Sequence, residues 1–380
     1  MPAQVAALVN GAAGHSYEFD DTHNASMSHP GAVIVPAVLA QAAGAGLAAD
    51  RVLMAIIVGY EAMTRIGLAA NANAVLSRGF HPTSLFGAFG AAAAVGVVRG
   101  FDAATLVRAW GHALSLAGGA MQFSDEAVGT DVKRLHAGYG AQNGVLAAGM
   151  AAAGIGAPAR GLDGKYGLLA LYGRDTDPQW LQPRGSQPLQ IHDVSLKPYS
   201  CCRLFHSIID ALEEATDGFT LAAEQVERVH IRGPEVLFDQ HMLRRPRAAM
   251  AAQYSLPYVV GTALAYGSNR IDVYQPPFFD DPRILRIADR VDGERDLAIE
   301  AHYPAQMGGA VELHLRDGGR RESLVMHSRG SPARPLSEDQ IIAKGQGLWD
   351  AAKLGADTRA ARDAVWNATQ GDTLVELFGG

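Results

Sequence analysis

TSLFGAFGAAAAVGVVRG, residues 83–100, decides the fold class. The segment is apolar on every face and built almost wholly from alanine, glycine and valine. That pattern predicts a helix buried all round, packed closely against its neighbours. Gly100 stands where such a helix should stop. The texture continues in both directions. GAVIVPAVLAQAAGAG (31–46), ADRVLMAIIVGYEAMTRIGLAANA (49–72), DAATLVRAWGHALSLAGGA (102–120) and GAQNGVLAAGMAAAGI (140–155) each predict a helix. Asp50 and Asp102 take the expected N-cap places. The runs GAFGAAAAVGVV and AGMAAAGIGAPA fall short of the roughly 20 residues a bilayer span needs.

Near residue 190 the pattern changes. QVERVHIRG (225–233), DLAIEAHY (296–303) and GAVELHLRDGGRRESLVMHS (309–328) alternate apolar and polar residues and predict strands. DGG at 317–319 predicts a hairpin turn. CCRLFHSIIDALEEAT and SLPYVVGTALAYG between them read as helices. The chain therefore predicts a mainly α protein: an all-helical body, residues 1–192 with 331–380, carrying a smaller α+β lid domain, residues 193–330. A cleft is expected at their junction.

Length and composition agree with two domains. The chain has 380 residues, 48% hydrophobic and 19% charged, with a net charge of −7. This balance gives no reason to expect nucleic acid or an anionic membrane as partner. The two cysteines, Cys201 and Cys202, are adjacent, a spacing that disfavours a bridge and supplies no zinc set. With no basic and apolar leader, a reducing, cytoplasmic setting is expected.

Four polar clusters interrupt the small-residue background: HSYEFDDTHNASMSHPG (15–31), SRGFHPT (77–83), DVKRLHAG (131–138) and SLKPYSCCRLFH (195–206). Three precede predicted helices, where free N–H groups and the helix dipole favour an anion. Lys133, Arg134, Lys197 and Arg203 add cationic donors, and the histidines offer proton transfer. Together they predict proton abstraction beside a carboxylate of a small polycarboxylic acid. Each element also has a plainer reading. Asp20–Asp21–Thr22 fits an Asx turn, Lys133–Arg134 a solvated helix start, and His15 and His23 structural roles. His15, Asp20, His23 and His29 lack any recognised metal-ligand spacing, so no metal is expected. GxGxxG after a strand, P-loop and GxSxG motifs are absent from the sequence.

The four clusters, in this order, resemble the MmgE/PrpD family, which includes 2-methylcitrate dehydratase, cis-aconitate decarboxylase and iminodisuccinate epimerase. The resemblance rests on NGAAGHSYEFDDTHNASMSHPG with PAVLA, GFHPT, KRLHAGYGAQNGVLAA, LKPYSCCRLFHSIIDA, QYSLPYVVGTALAYG and GSPARPLSEDQI. It implies a homodimer with a site that needs no metal or other cofactor, in the cleft between body and lid. By motif, the site residues fall on Glu18, Thr22, His29, His81, Lys133, Lys197 and Tyr258. Arg134, Arg203 and His136 are added as substrate-binding residues. Glu18 stands where many members carry Asp, and the THNASMSHP segment is one residue longer than the decarboxylase pattern. Only nine residues precede Asn10, where the family usually carries several helices.

The implied activity is that of a lyase, a dehydratase of a 2-methylcitrate-like hydroxy acid. An epimerase of an imino- or amino-dicarboxylate and a cis-aconitate-type decarboxylase are the alternatives, and an inactive dimeric remnant is the third reading. His81 or His29 is expected to move the proton and Lys133, Lys197 and Arg203 to hold carboxylates. Glu18 and Thr22 orient a histidine or a substrate hydroxyl, and Tyr258 closes the site from the lid.

Overall fold

The computed structural model describes residues 1–43, 45–125, 130–268 and 270–368. Helices α1 (Ala3–His15), α2 (Pro30–Ala42), α3 (Ala49–Ala70), α4 (Ala72–Ser77), α5 (Pro82–Arg99), α6 (Ala103–Leu116) and α7 (Val132–Ala152) build the body. Small residues let these helices meet almost backbone to backbone. A Cβ added at Gly138 of α7 would lie 2.4 Å from the Leu8 carbonyl of α1, and one at Gly144 would lie 2.4 Å from Ala91 Cβ of α5. No side chain larger than hydrogen fits at either crossing. These crossings set the height of α7 against α1 and α5, and so the position of its first turn.

Asp102 caps α6 by accepting from the Thr105 N–H at 2.8 Å, and Gly100 ends α5 in the left-handed region with φ 70°. Other expectations need correction. Asp50 is not an N-cap: α3 starts at Ala49, and Asp50 lies in its first turn beside the helix dipole. The single helix expected over 49–72 ends at Ala70, because Asn71 turns left-handed and its side chain caps α4. The last body helix begins at Val132 rather than near 140, so the KRLH cluster lies inside α7. The GAFGAAAAVGVV run belongs to an 18-residue helix, long and apolar enough to cross a membrane by length and composition. Helix α3 meets the same test, yet 89% of the α5 window is buried inside the protein.

The short helix α8 (Leu168–Tyr172) still packs on the body core, and the lid then holds α9 (His206–Thr216), α10 (Val236–Gln240), α11 (Ala249–Gln253), α12 (Leu256–Tyr266), α13 (Pro282–Ala288) and α14 (Leu297–Glu300). Strands β1 (Thr22–His23) and β2 (Val194–Ser195) form a two-stranded ribbon joining body to lid, with Thr22 opposite Ser195. The lid sheet has the order β4-β3-β5-β6, from β3 (Val226–Gly233), β4 (Val291–Arg295), β5 (Gly309–Leu315) and β6 (Arg320–Val325). β3 runs parallel to β4 and antiparallel to β5, and the β5–β6 hairpin turns through Gly318 at φ 87°. DLAIEAHY is not a strand. Asp296 accepts from the Ala298 and Ile299 N–H groups and caps α14, while the strand lies just before it at 291–295.

Two hydrophobic cores result. One draws on body residues such as Val33, Phe86 and Phe89, the other on lid residues such as Phe205, Tyr258 and Leu313, and Met27 packs against both. After the lid come α15 (Glu338–Ala351) and α16 (Thr358–Trp366), α15 starting with a capping box between Ser337 and Gln340.

Candidate active site

The segment between α1 and α2 folds into a tight loop whose turn is set by Glu18, a non-glycine residue at φ 54°. Its carboxylate is completely buried. Lys133 donates to Glu18 Oε1, Lys197 to Oε2 at 3.2 Å, and the Tyr254 hydroxyl to Oε2 at 3.1 Å. Lys197 also reaches Asp20 Oδ1 at 3.4 Å. Burial by itself would raise the Glu18 carboxyl, but the two ammonium groups outweigh it and hold it well below the usual carboxylate range. Burial likewise opposes charge on Lys197, and Asp20 and Glu18 outweigh it and keep the ammonium charged. The extra methylene of Glu lets one carboxylate bridge two lysines from different elements.

Asp20 holds two imidazoles. Its Oδ2 lies 2.8 Å from His15 Nδ1 and 2.8 Å from His29 Nδ1. His29 Nδ1 is also 2.8 Å from the Asp21 carbonyl and 3.3 Å from Thr22 Oγ1. These acceptors fix the Nδ1–H tautomer and leave Nε2 for the cleft. Asp21 in turn accepts from the Gly31 N–H and the Tyr60 hydroxyl, locking the loop to α2 and α3. Burial lowers His15 to about 4, so it sits neutral. His15, Asp20 and His29 are close enough to suggest a metal set. The Asp20 oxygens are, however, already shared between two imidazoles on Oδ2 and an ammonium on Oδ1, so a cation there would compete with Lys197 and with both imidazoles.

His81 is the N-cap of α5, its N–H donating to Gly119 at 2.9 Å. Its Nδ1 lies 2.9 Å from Nδ1 of His136, on α7 one turn after Lys133. Such a contact needs one donor and one acceptor, so the pair shares a single proton. Burial, then Lys133, lowers His81 well below its ordinary value, and the same two causes lower His136 to about 4. The pair is neutral in the empty site. When the shared proton passes from His81 to His136 as His81 Nε2 takes up a proton and His136 Nε2 gives one up, His81 changes from a tautomer with a free Nε2 base to one with an Nε2–H acid.

These groups face a cleft of about 140 Å³ between body and lid. Thr22, His29, His81, Lys133, Lys197 and Arg203 line it, as expected from the sequence. Glu18 and His136 stand directly behind as partners of Lys133 and His81. Two expected residues lie elsewhere. Tyr258 is fully buried in the lid core, its hydroxyl donating to the Val273 carbonyl at 2.6 Å. Arg134 turns to the surface and pairs with Asp131 at 3.2 Å. Of the two tyrosines in the QYSLPY motif it is Tyr254 that lines the cleft, with the Lys133 ammonium 5.1 Å from its ring centroid. Ser255 caps α12 and breaks the helix between the two tyrosines, so they face different ways. The QYSLPY motif contained both, and the cap at Ser255 was the signal that separates them.

Arg203 closes the lid side. It is 6% exposed, reaching only the Ser328 hydroxyl and, at 3.4 Å, the Ser195 hydroxyl, and its Nε has no partner among the described residues. Unlike Lys133 and Lys197 it has no carboxylate within 4 Å among the described residues. Burial lowers its guanidinium to about 10, still charged at neutral pH. The cleft therefore offers on the lid wall a cation that Asp210 supports only from beyond ion-pair distance, imidazoles on the body wall, and an apolar lining that includes Met27, Leu76, Phe123 and Met307.

Comparison with known proteins identifies the family. The MmgE/PrpD N-terminal domain matches residues 1–181 and the MmgE/PrpD C-terminal domain residues 199–368. The chain is 27% identical over 368 residues to the cis-aconitate decarboxylase-like protein oryM of Aspergillus oryzae, covering 91% of this chain and 75% of that protein. It is 25% identical over 363 residues to the cis-aconitate decarboxylase of Aspergillus terreus, covering 89% and 73%. It is 28% identical over 370 residues to the human cis-aconitate decarboxylase, covering 90% and 72%. With both domains matched in order across the body, the cleft and the lid, the chain belongs to the MmgE/PrpD family.

Proposed function

We propose that the protein is a lyase that removes carbon dioxide from a small unsaturated polycarboxylic acid of the cis-aconitate type, using its own side chains without a metal or organic cofactor. The observation that carries this reading is the placing, across one cleft, of Arg203, with no carboxylate within 4 Å among the described residues, opposite the proton-sharing His81–His136 couple. A non-reacting carboxylate fits Arg203, where a charge-assisted fork replaces the missing partner. Its negative charge, entering beside His81, favours protonation of an imidazole that Lys133 and burial keep neutral in the empty site. Binding is thus coupled to proton uptake.

As the carbon–carboxylate bond breaks, carbon dioxide leaves and the bonding electrons pass to the carbon framework. Lys133 and Lys197 stabilise the negative charge that spreads onto a neighbouring carboxylate. The His81 imidazolium then delivers its proton to carbon, forming the new C–H bond, and solvent restores the couple through His136. The apolar lining favours neutral carbon dioxide over a solvated carboxylate. The relatives, all cis-aconitate decarboxylases or like them, weigh this outcome above dehydration of a hydroxy acid or epimerisation, which share the same stabilised carbanion. The reading carries a homodimer with it.

Incubation with cis-aconitate, 2-methylcitrate and iminodisuccinate in deuterated water separates the three outcomes. Carbon dioxide release with one deuterium placed on carbon is expected for cis-aconitate, with a loss of about 10²–10⁴ in kcat for His81→Ala. Water loss from 2-methylcitrate without carbon dioxide release makes the enzyme a dehydratase. Deuterium exchange into iminodisuccinate alone makes it an epimerase. Full activity in His81→Ala overturns the mechanism.

A further inference from the structure

We propose that Lys344, on the C-terminal helix α15 and outside the cleft, is a positioning residue for Glu18: it holds the Phe19 carbonyl and so fixes the turn that aims the carboxylate at Lys133 and Lys197. The inference rests on the acid–base site described above and adds to it a residue that touches no reacting atom.

Three successive residues of the turn are each gripped from a different direction. The Tyr17 carbonyl accepts from the Ser200 hydroxyl at 2.6 Å and from Gln253 Nε2 at 3.2 Å, both in the lid. The Glu18 carboxylate is held by Lys133, Lys197 and Tyr254. The Phe19 carbonyl accepts from Lys344 Nζ at 2.6 Å, and the same ammonium lies 5.3 Å from the Phe19 ring centroid. Glu18 needs this grip. Its φ of 54° is a conformation a β-carbon disfavours, and it persists only where its surroundings over-determine it. The Phe19 carbonyl belongs to the peptide that joins Phe19 to Asp20, so holding it pins the backbone immediately after Glu18, as Ser200 and Gln253 pin it immediately before.

The charged groups around Lys344 make it sensitive to pH. Asp20 and Asp21 lie on the loop it holds, Lys197 lies beyond Asp20, and His206 of α9 senses its charge. Arg329 and Tyr199 face it across a cavity of about 310 Å³ that Phe19, Pro198 and Leu336 also line. Arg329 is occupied by Asp210 and Glu213, and Lys344 itself has no carboxylate within 4 Å among the described residues. Burial, reinforced by Lys197 and opposed by Asp20 and Asp21, lowers its ammonium to about 8. The cavity gives water a route to it. A charge-assisted donor at neutral pH therefore becomes a weaker neutral one within the working range of an enzyme.

The test compares wild type, Lys344→Met and Lys344→Arg. Amide hydrogen exchange of residues 18–22, corrected for intrinsic rate, needs no substrate. Lys344→Met is expected to speed it by about tenfold or more at pH 7. Wild type should lose the same protection between pH 7 and 9, while Lys344→Arg, whose guanidinium does not titrate there, keeps it. In turnover of the acid identified above, Lys344→Met should lower kcat by about 10–100-fold with KM within about threefold. Lys344→Arg should restore kcat and move the alkaline limb from near pH 8 to above it. Unchanged exchange in Lys344→Met sinks the proposal, as does an alkaline loss of protection that Lys344→Arg shares with wild type. If Lys344→Met does not fold, the pH comparison of wild type with Lys344→Arg decides. A substrate panel without turnover removes the functional reading but leaves the exchange result to judge this one.

Discussion

Replacing Glu18 by Gln keeps the shape of the side chain and removes its charge. In the fold that charge is completely buried and compensates two buried ammonium groups, Lys133 and Lys197. Removing one partner of a buried ion pair costs about 3–5 kcal/mol, because the other charge is left uncompensated. Asp20 still faces Lys197, so the uncompensated charge falls mainly on Lys133. With a urea dependence of about 2–3 kcal/mol per molar, the unfolding midpoint should fall by roughly 1–2 M at pH 7.

Acid should narrow the gap. The folded Glu18 carboxyl lies below its ordinary value of 4.5, so the unfolded chain binds its proton first. Its stabilisation is complete above that value and drains away as pH falls toward the folded one. At pH 3.5 wild type has lost about 1.4 kcal/mol of it, by the conversion of one pKa unit, and Glu18→Gln has none to lose. Trp110 and Trp180 lie in or beside the body, so intrinsic fluorescence follows this transition. A Glu18→Gln midpoint within 0.3 M of wild type at pH 7, or a gap that widens in acid, would refute the charge accounting of the site.

Arg203→Lys keeps a charge but loses the planar fork. It should raise KM about 10–150-fold, the worth of one charge-assisted contact, with a smaller change in kcat. A substrate analogue lacking the non-reacting carboxylate should not distinguish the two proteins in steady-state kinetics. Tyr254→Phe should lower kcat about tenfold with little change in melting temperature, since it removes a donor to Glu18. Tyr258→Phe should do the reverse, leaving kcat intact and costing about 1–3 kcal/mol in thermal unfolding as the Val273 carbonyl loses its partner.

The body was legible because its segments carry helix-period apolar residues and because alanine and glycine at so many positions demand close backbone contact. What escaped were places where a local signal competed with a tertiary one. The first turns of α7 carry Lys133, Arg134 and His136, polar residues that look like a loop, yet they are helical, with Lys133 anchored on Glu18, His136 on His81, and close glycine crossings to α1 and α5 further along. DLAIEAHY alternates like a strand, yet an aspartate at its head caps a helix instead. At the site, motif order brought six of the expected side chains to the cleft and two more directly behind it. The departures concern direction. Tyr254 and Tyr258 are one turn apart in sequence, and the helix break at Ser255 sends only the first to the cleft. The His81–His136 contact spans 55 positions and depends on α5 and α7 lying side by side, which spacing along the chain does not encode.

The ribbon of Thr22 against Ser195, with the lid donors Ser200, Gln253 and Tyr254 on residues 17 and 18, stitches the two halves at the bottom of the cleft. A lid that swung away as a rigid flap would have to tear several of these contacts at once, some between buried charges. The cleft is also lined by Met121, Phe123, Gln240 and Tyr303, which take no part in this stitching. Body and lid are thus tied at the residues that carry the buried charges, so the placing of Glu18 between Lys133 and Lys197 depends on both halves staying together.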